Sequence, residues 1–149
     1  MEHPNRAGKI IVGVDGSEAS VAALQEAGKL ASATGQKVVA TAYWDYPQVY
    51  DGYLAMGIGR FEEAAAAILQ LAVEKAFGEQ LPDNVEISLE RGHPRQGLIE
   101  ASRDADMIVV GRRGHGGFGG LLLGSVSSAC VAHAHCPVLV VNVPGDGSR

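Results

Sequence analysis

Lys9–Asp15 (KIIVGVD) is apolar on both faces of an extended chain. A strand of that kind cannot have one wet side, and it suits the centre of a parallel sheet covered by helices above and below. Other runs repeat the pattern. Val38–Trp44 (VVATAYW) is rich in β-branched and aromatic residues, MIVV from Met107 is apolar throughout, and Val138–Val143 (VLVVNV) is broken only by Asn142. Val85–Glu90 (VEISLE) instead alternates strictly, with Val85, Ile87 and Leu89 on one side, as an edge or half-exposed strand does.

Helical patterns fill the intervals. Ser17 is placed to cap a helix that runs to about Thr34, with Glu18 complementing the dipole, Val21, Leu24, Gly28 and Ala31 forming the apolar stripe, and Gly35 as the stop. A second helix spans Phe61–Phe77, with Phe61, Ala65, Ile68, Leu71 or Ala72, and Lys75 along one side. Pro94 opens a third through Leu98, Ile99 and Ser102, since its missing N–H costs nothing in a first turn. The fourth runs from Ser125 to Ala134, burying Val126, Cys130 and His133, and Pro137 ends it. Asp45–Arg60 holds Pro47, Tyr46, Tyr50, Tyr53 and three glycines without a clean period, and reads as a long loop, either a mobile connection or a lid. Five strands alternating with four helices give an open α/β sheet with right-handed crossovers.

At 149 residues the chain has room for one domain, taken as residues 1–149 with a core from 9 to 143. Twelve basic against seventeen acidic side chains leave a net charge of −5, which argues against a dedicated nucleic-acid binder. Two cysteines, Cys130 and Cys136, cannot make a disulfide scaffold, and MEHPNRAGK lacks the pattern of a signal peptide. No apolar run approaches the roughly 18 residues of a membrane span. The expectation is a cytoplasmic protein with no membrane partner.

The chemistry concentrates between Met107 and Ser127, where an apolar strand passes into a loop with six glycines from Gly111 to Gly120 and then into a helix start at Gly124-Ser125. Glycines let backbone N–H groups approach an anion, and a helix N-terminus adds unbonded donors and dipole. Gly114, Gly116 and Gly119 match the dinucleotide fingerprint in spacing, but no Asp or Glu lies between Asp106 and Asp146 to take a ribose. A phosphate-loop NTPase fits no better, because no Gly-Lys-Ser/Thr follows the glycines; the loop's basic groups are Arg112, Arg113 and His115. Ligands of open α/β sheets bind beyond the carboxyl ends of the strands. If the first and fourth strands are neighbours, Asp15 faces the same crevice, either accepting hydrogen bonds from ribose or adenine or serving as a turn or helix-cap residue. Cys130, His133, His135 and Cys136 lack paired metal-ligand spacing, and Ser125, Ser127 and His115 lack a nucleophile elbow, so no metal ligand and no catalytic residue is assigned.

The spacing Gly111, two residues, Gly114, nine residues, Gly124-Ser125 resembles the ATP-binding signature of the universal stress protein family. VGVDGSEAS after the first strand and CPVLVV at the end are similar to that family too, and the likeness covers Lys9 to Val143. The resemblance implies a Rossmann-like nucleotide-binding fold with strand order 3-2-1-4-5. It implies ATP, with or without Mg²⁺, as ligand, with Asp15 and the backbone near Tyr43 at the adenosine end and Val110 beneath the nucleotide. Gly111, Gly114, Gly124, Ser125, Val126 and Ser127 would cradle ribose and phosphates. The family also pairs as homodimers through the last strand, Val138–Val143, which agrees with the hazard of leaving so apolar an edge uncovered. A nucleotide-responsive module of the stress response is the leading expectation; slow ATP hydrolysis and a nucleotide-free scaffold are the alternatives.

Overall fold

A computed structural model describes residues 8–46, 51–113 and 123–143, with residues 51–59 in backbone only. Its elements are β1 (Lys9–Gly13), α1 (Glu18–Thr34), β2 (Lys37–Trp44), α2 (Asp51–Phe77), β3 (Val85–Arg91), α3 (Pro94–Ala101), a 3-10 turn at Ser102–Asp104, β4 (Met107–Gly111), α4 (Ser125–His133) and β5 (Val138–Val141). The strands form one sheet in the order β3-β2-β1-β4-β5, and every pairing is parallel. Both the α/β class and the expected order 3-2-1-4-5 are met.

Pleating explains why the central strands are apolar throughout. Side chains of successive strand residues point to opposite faces, so Ile10 and Val12 enter one layer with Leu24, Ala27, Leu69 and Val73. Ile11 enters the other with Leu98, Ile108, Val110 and Cys130. The first layer lies under α1 and α2, the second under α3 and α4.

Local signals set the helix ends. Ser17 accepts the Ser20 N–H at 3.2 Å, and Gly35, at φ 77°, returns its N–H to the Ala31 carbonyl at 2.9 Å. The face of α1 is turned slightly from the expected one: Ala23, Leu24, Ala27 and Ala31 are buried, whereas Val21 and Gly28 are half-buried. At Gly28 the Phe77 ring of α2 packs close, since a Cβ there would lie 2.8 Å from it.

The second helix departs most from expectation. It begins at Asp51, so the segment read as a loop to Arg60 is helical over its second part. Each residue added to an existing helix gains a hydrogen bond, so an alanine-rich core can propagate through glycines that would not nucleate a helix themselves. The loop or lid reading covered Asp45–Arg60; of that segment, residues 47–50 lie outside the described residues. Its inner face is also displaced: Leu69, Ala72 and Val73 are buried, while Ile68 and Leu71 are 45% and 52% exposed and Lys75 is exposed. Two edges remain. The alternating β3 closes one side of the sheet, and β5 the other, ending at Val141 rather than Val143 with all four residues half-buried. In α4, Ser127 and Cys130 are buried and Val126 half-buried, but His133 is exposed, which spares its imidazole the cost of desolvation.

Candidate functional site

The pairing of β1 with β4, Ile10 to Met107 through Val12 to Val109, brings the chain beyond both strands out side by side at the carboxyl edge of the sheet. On the other flank, Val14 N–H donates to the Thr41 carbonyl at 2.9 Å, which carries the β1–β2 register onward toward Asp15 and Tyr43. The condition for one shared crevice is therefore satisfied.

Asp15 is exposed at its mouth. Its Oδ1 accepts the Ser17 N–H at 2.9 Å and the Ser17 Oγ–H at 2.6 Å, while Gly16 takes the left-handed φ of 87° that the turn requires. Asp15 is thus a turn residue beside the cap, which is Ser17, and those bonds orient its carboxylate. Tyr43 closes the β2 end, and its ring belongs to the α3 and α4 layer, lying against Gly97 where a Cβ would overlap it. Burial pushes the Tyr43 hydroxyl up to about 12, with the Glu90 carboxylate and then Cys130 adding to the shift. Its backbone is paired with Glu90 of β3, one residue before the end of β2. Val110 is 3% exposed and lies in the same layer beneath.

Gly111 is required for a reason sequence spacing does not reveal. A Cβ there would lie 2.8 Å from the backbone carbon and 2.9 Å from the carbonyl oxygen of Ala19, so glycine is needed for the first turn of α1 to approach the end of β4. Its φ is not positive. Beyond it, Arg112 N–H donates to Val141 at 2.9 Å, and the Arg112 carbonyl accepts Gly124 N–H at 2.8 Å. The Ser127 Oγ, on a residue 2% exposed, also lies 2.8 Å from that carbonyl. The two ends of the glycine loop are consequently pinned together at one carbonyl. Gly114 lies outside the described residues. Gly124 is extended at φ −75° and ψ 175°, with no side-chain cap, and Ser125 is exposed. The first-turn N–H groups of Ser125, Val126 and Ser127 precede any intrahelical acceptor and carry the positive end of the helix dipole.

A cleft of about 140 Å³ adjoins the Asp15 turn, lined by Asp15, Gly16, Ile68, Leu71, Ala72 and Lys75. The α2 wall was missed because Ile68 and Leu71 fit an inward stripe equally well. A larger groove, about 650 Å³, lies where Gly28, Phe77 and Asn84 meet, and none of the candidate nucleotide-binding residues lines it. Among the described residues no group of three His, Cys, Asp or Glu is arranged to hold a metal, and no helix is long and apolar enough to cross a membrane.

Comparison with known proteins adds to this geometry. The profile of the universal stress protein family matches residues 7–142. A universal stress protein of Mycolicibacterium smegmatis is 37% identical over 139 residues, covering 89% of this chain and 45% of its own length. The chain spans about half the length of the curated relatives it matches. The universal stress protein UspA from Lactobacillus plantarum superposes with a TM-score of 0.72 at 24% identity, covering 91% of this chain and 98% of the other. A universal stress protein solved in complex with cAMP has a TM-score of 0.63 at 29% identity, covering 89% and 94%.

Proposed function

Since this chain belongs to the universal stress protein family, we propose that it binds ATP or a related adenine nucleotide in the crevice between β1 and β4, as a nucleotide-responsive module of the stress response. The observation that carries the reading is the pinned loop: Gly124 N–H and the Ser127 hydroxyl both meet the Arg112 carbonyl, which sets the start of α4 beside the end of β4. The uncapped turn at Ser125, Val126 and Ser127 is chemically suited to phosphate, since backbone N–H groups and the helix dipole stabilise an anion. Gly111 and Gly114 complete that cradle, Val110 supplies its floor, and Asp15 with the Tyr43 backbone takes the adenosine end. Placing the carboxylate of Asp15 on the nucleoside keeps it away from the phosphates, which it would repel. The cAMP bound by one solved relative has the same adenosine moiety.

Mg²⁺ would rest on phosphate oxygens and the exposed Ser125 hydroxyl. The active form is a cytoplasmic homodimer paired through the last strand, whose half-buried residues leave apolar surface at the sheet edge. The test is chemical: small molecules released by denaturing freshly purified protein are identified by mass spectrometry. An adenine nucleotide near one per chain is expected. Protein that releases none and takes up none from a millimolar solution would instead be a scaffold. Slow hydrolysis is the enzyme-class alternative, and steady phosphate release that disappears in Ser125→Ala would favour it.

A further inference from the structure

Two of the large apolar side chains exposed among the described residues, Ile68 at 45% and Leu71 at 52%, stand one turn apart on α2 and line the same cleft as Asp15 and Gly16. Single exposed aliphatics need no explanation, but a pair converging on a cleft does. The alternative of a core face that lacks a neighbour is excluded by Leu69, Ala72 and Val73, which already supply the buried stripe of this helix. The cleft has one acidic wall, with Asp15 held in place by Ser17, one aliphatic wall, and Lys75 beside it. Its volume of about 140 Å³ is on the scale of one heteroaromatic ring system.

We propose that Ile68 and Leu71 form the apolar platform for the base of the bound nucleotide, so that α2 sets how strongly a purine is preferred over a pyrimidine. This rests on the nucleotide reading above. The occupant follows from continuity: Asp15 belongs both to the crevice and to the cleft, so a nucleoside placed at Asp15 has its base within reach of α2. Flat apolar contact scales with the area covered, so a two-ring base gains more from the platform than a one-ring base. The platform contributes nothing to phosphate, which is held at the other end. Because both side chains are partly exposed before ligand binds, polar replacements leave the folded core intact.

The experiment compares ATP, UTP and inorganic tripolyphosphate by calorimetry, on the unmodified protein and on Ile68→Gln/Leu71→Gln. The expected result is a loss of about tenfold or more in ATP affinity, on the order of 50 Å² or more of apolar contact removed. UTP should weaken less, narrowing the ATP-to-UTP ratio, and tripolyphosphate should be unchanged. An unchanged ATP affinity and an unchanged ratio in the variant overturn the platform while leaving nucleotide binding intact. An equal loss for all three ligands overturns it as well, since that pattern marks a general disturbance of the site. Absence of ATP binding by the unmodified protein overturns the nucleotide reading and the platform with it, and is distinguished by being seen before any substitution is made.

Discussion

Gly111 answers to Ala19 of α1, which a Cβ at this position would meet. Because the nearest atoms are the Ala19 Cβ at 2.5 Å and then its backbone, none of them the tip of a flexible side chain, Gly111→Ala should destabilise the fold by about 1–3 kcal/mol, measured by urea denaturation. A glycine needed only for phosphate would lower nucleotide affinity at unchanged stability. Sequence spacing marked the position but not this reason, since a contact with α1 depends on how helix and sheet pack. Asp15 and Ser17 were more legible, because turn and cap bonds are local. Tyr43 provides a test in pH. Its hydroxyl is neutral when protonated, with a pKa raised from 10.0 to about 12 by burial first and Glu90 second. Below pH 10 the folded and unfolded chains both keep the proton, and the contribution to stability is complete. As pH rises from 10 toward 12 the unfolded chain releases its proton first, so stability falls. Cys130, raised from 9.0 to about 11 mainly by burial, acts in the same direction from a lower pH. Tyr43→Phe should therefore flatten the decline in urea midpoint above pH 10, and an identical slope would show that the hydroxyl is not the cause.

At the level of elements, α4 and the glycine loop act through their shared neck at the Arg112 carbonyl. Removing one hydroxyl from that neck with Ser127→Ala should cost about 1 kcal/mol of stability. Nucleotide affinity should fall by more than that loss of stability accounts for, because the first turn of α4 then loses one of its two ties to the Arg112 carbonyl and keeps only that of the Gly124 N–H. Calorimetry beside thermal denaturation separates the two effects. Ser17→Ala removes the cap of α1 and should cost about 1 kcal/mol, and it also frees the carboxylate of Asp15 from its hydroxyl partner. The strands and the ends of α1, α3 and α4 were readable because apolar runs, caps and prolines are local signals. The start of α2 was not, because three glycines and interspersed tyrosines erase the helical period before Phe61. Ile68 was read on the inner side, with Leu71 or Ala72 left open beside it, because a stripe at three- and four-residue steps fits two adjacent faces; the opposing layer decides, burying Ala72 and exposing Ile68 and Leu71.

Across the whole molecule, the strand order brings every described site residue to one edge of the sheet or to the layer just beneath it. Double-sided apolar strands require helices on both faces and parallel crossovers are right-handed, but several strand orders meet both rules, and the order found here, β3-β2-β1-β4-β5, is the one the family resemblance implied. The assembly is a separate matter. β5 is an apolar edge of four half-buried residues, so the protein should run as two chains by light scattering. Val140→Glu should then give single chains or insoluble protein, since Val140 also packs on the layer under α3 and α4, and a monomeric unmodified protein would contradict pairing through this strand. Nucleotide binding is tested most directly by calorimetric titration of ATP into protein stripped of small molecules by unfolding and refolding. One saturable site per chain is the predicted result, and no saturable heat with ATP, ADP or AMP up to millimolar concentration would contradict it.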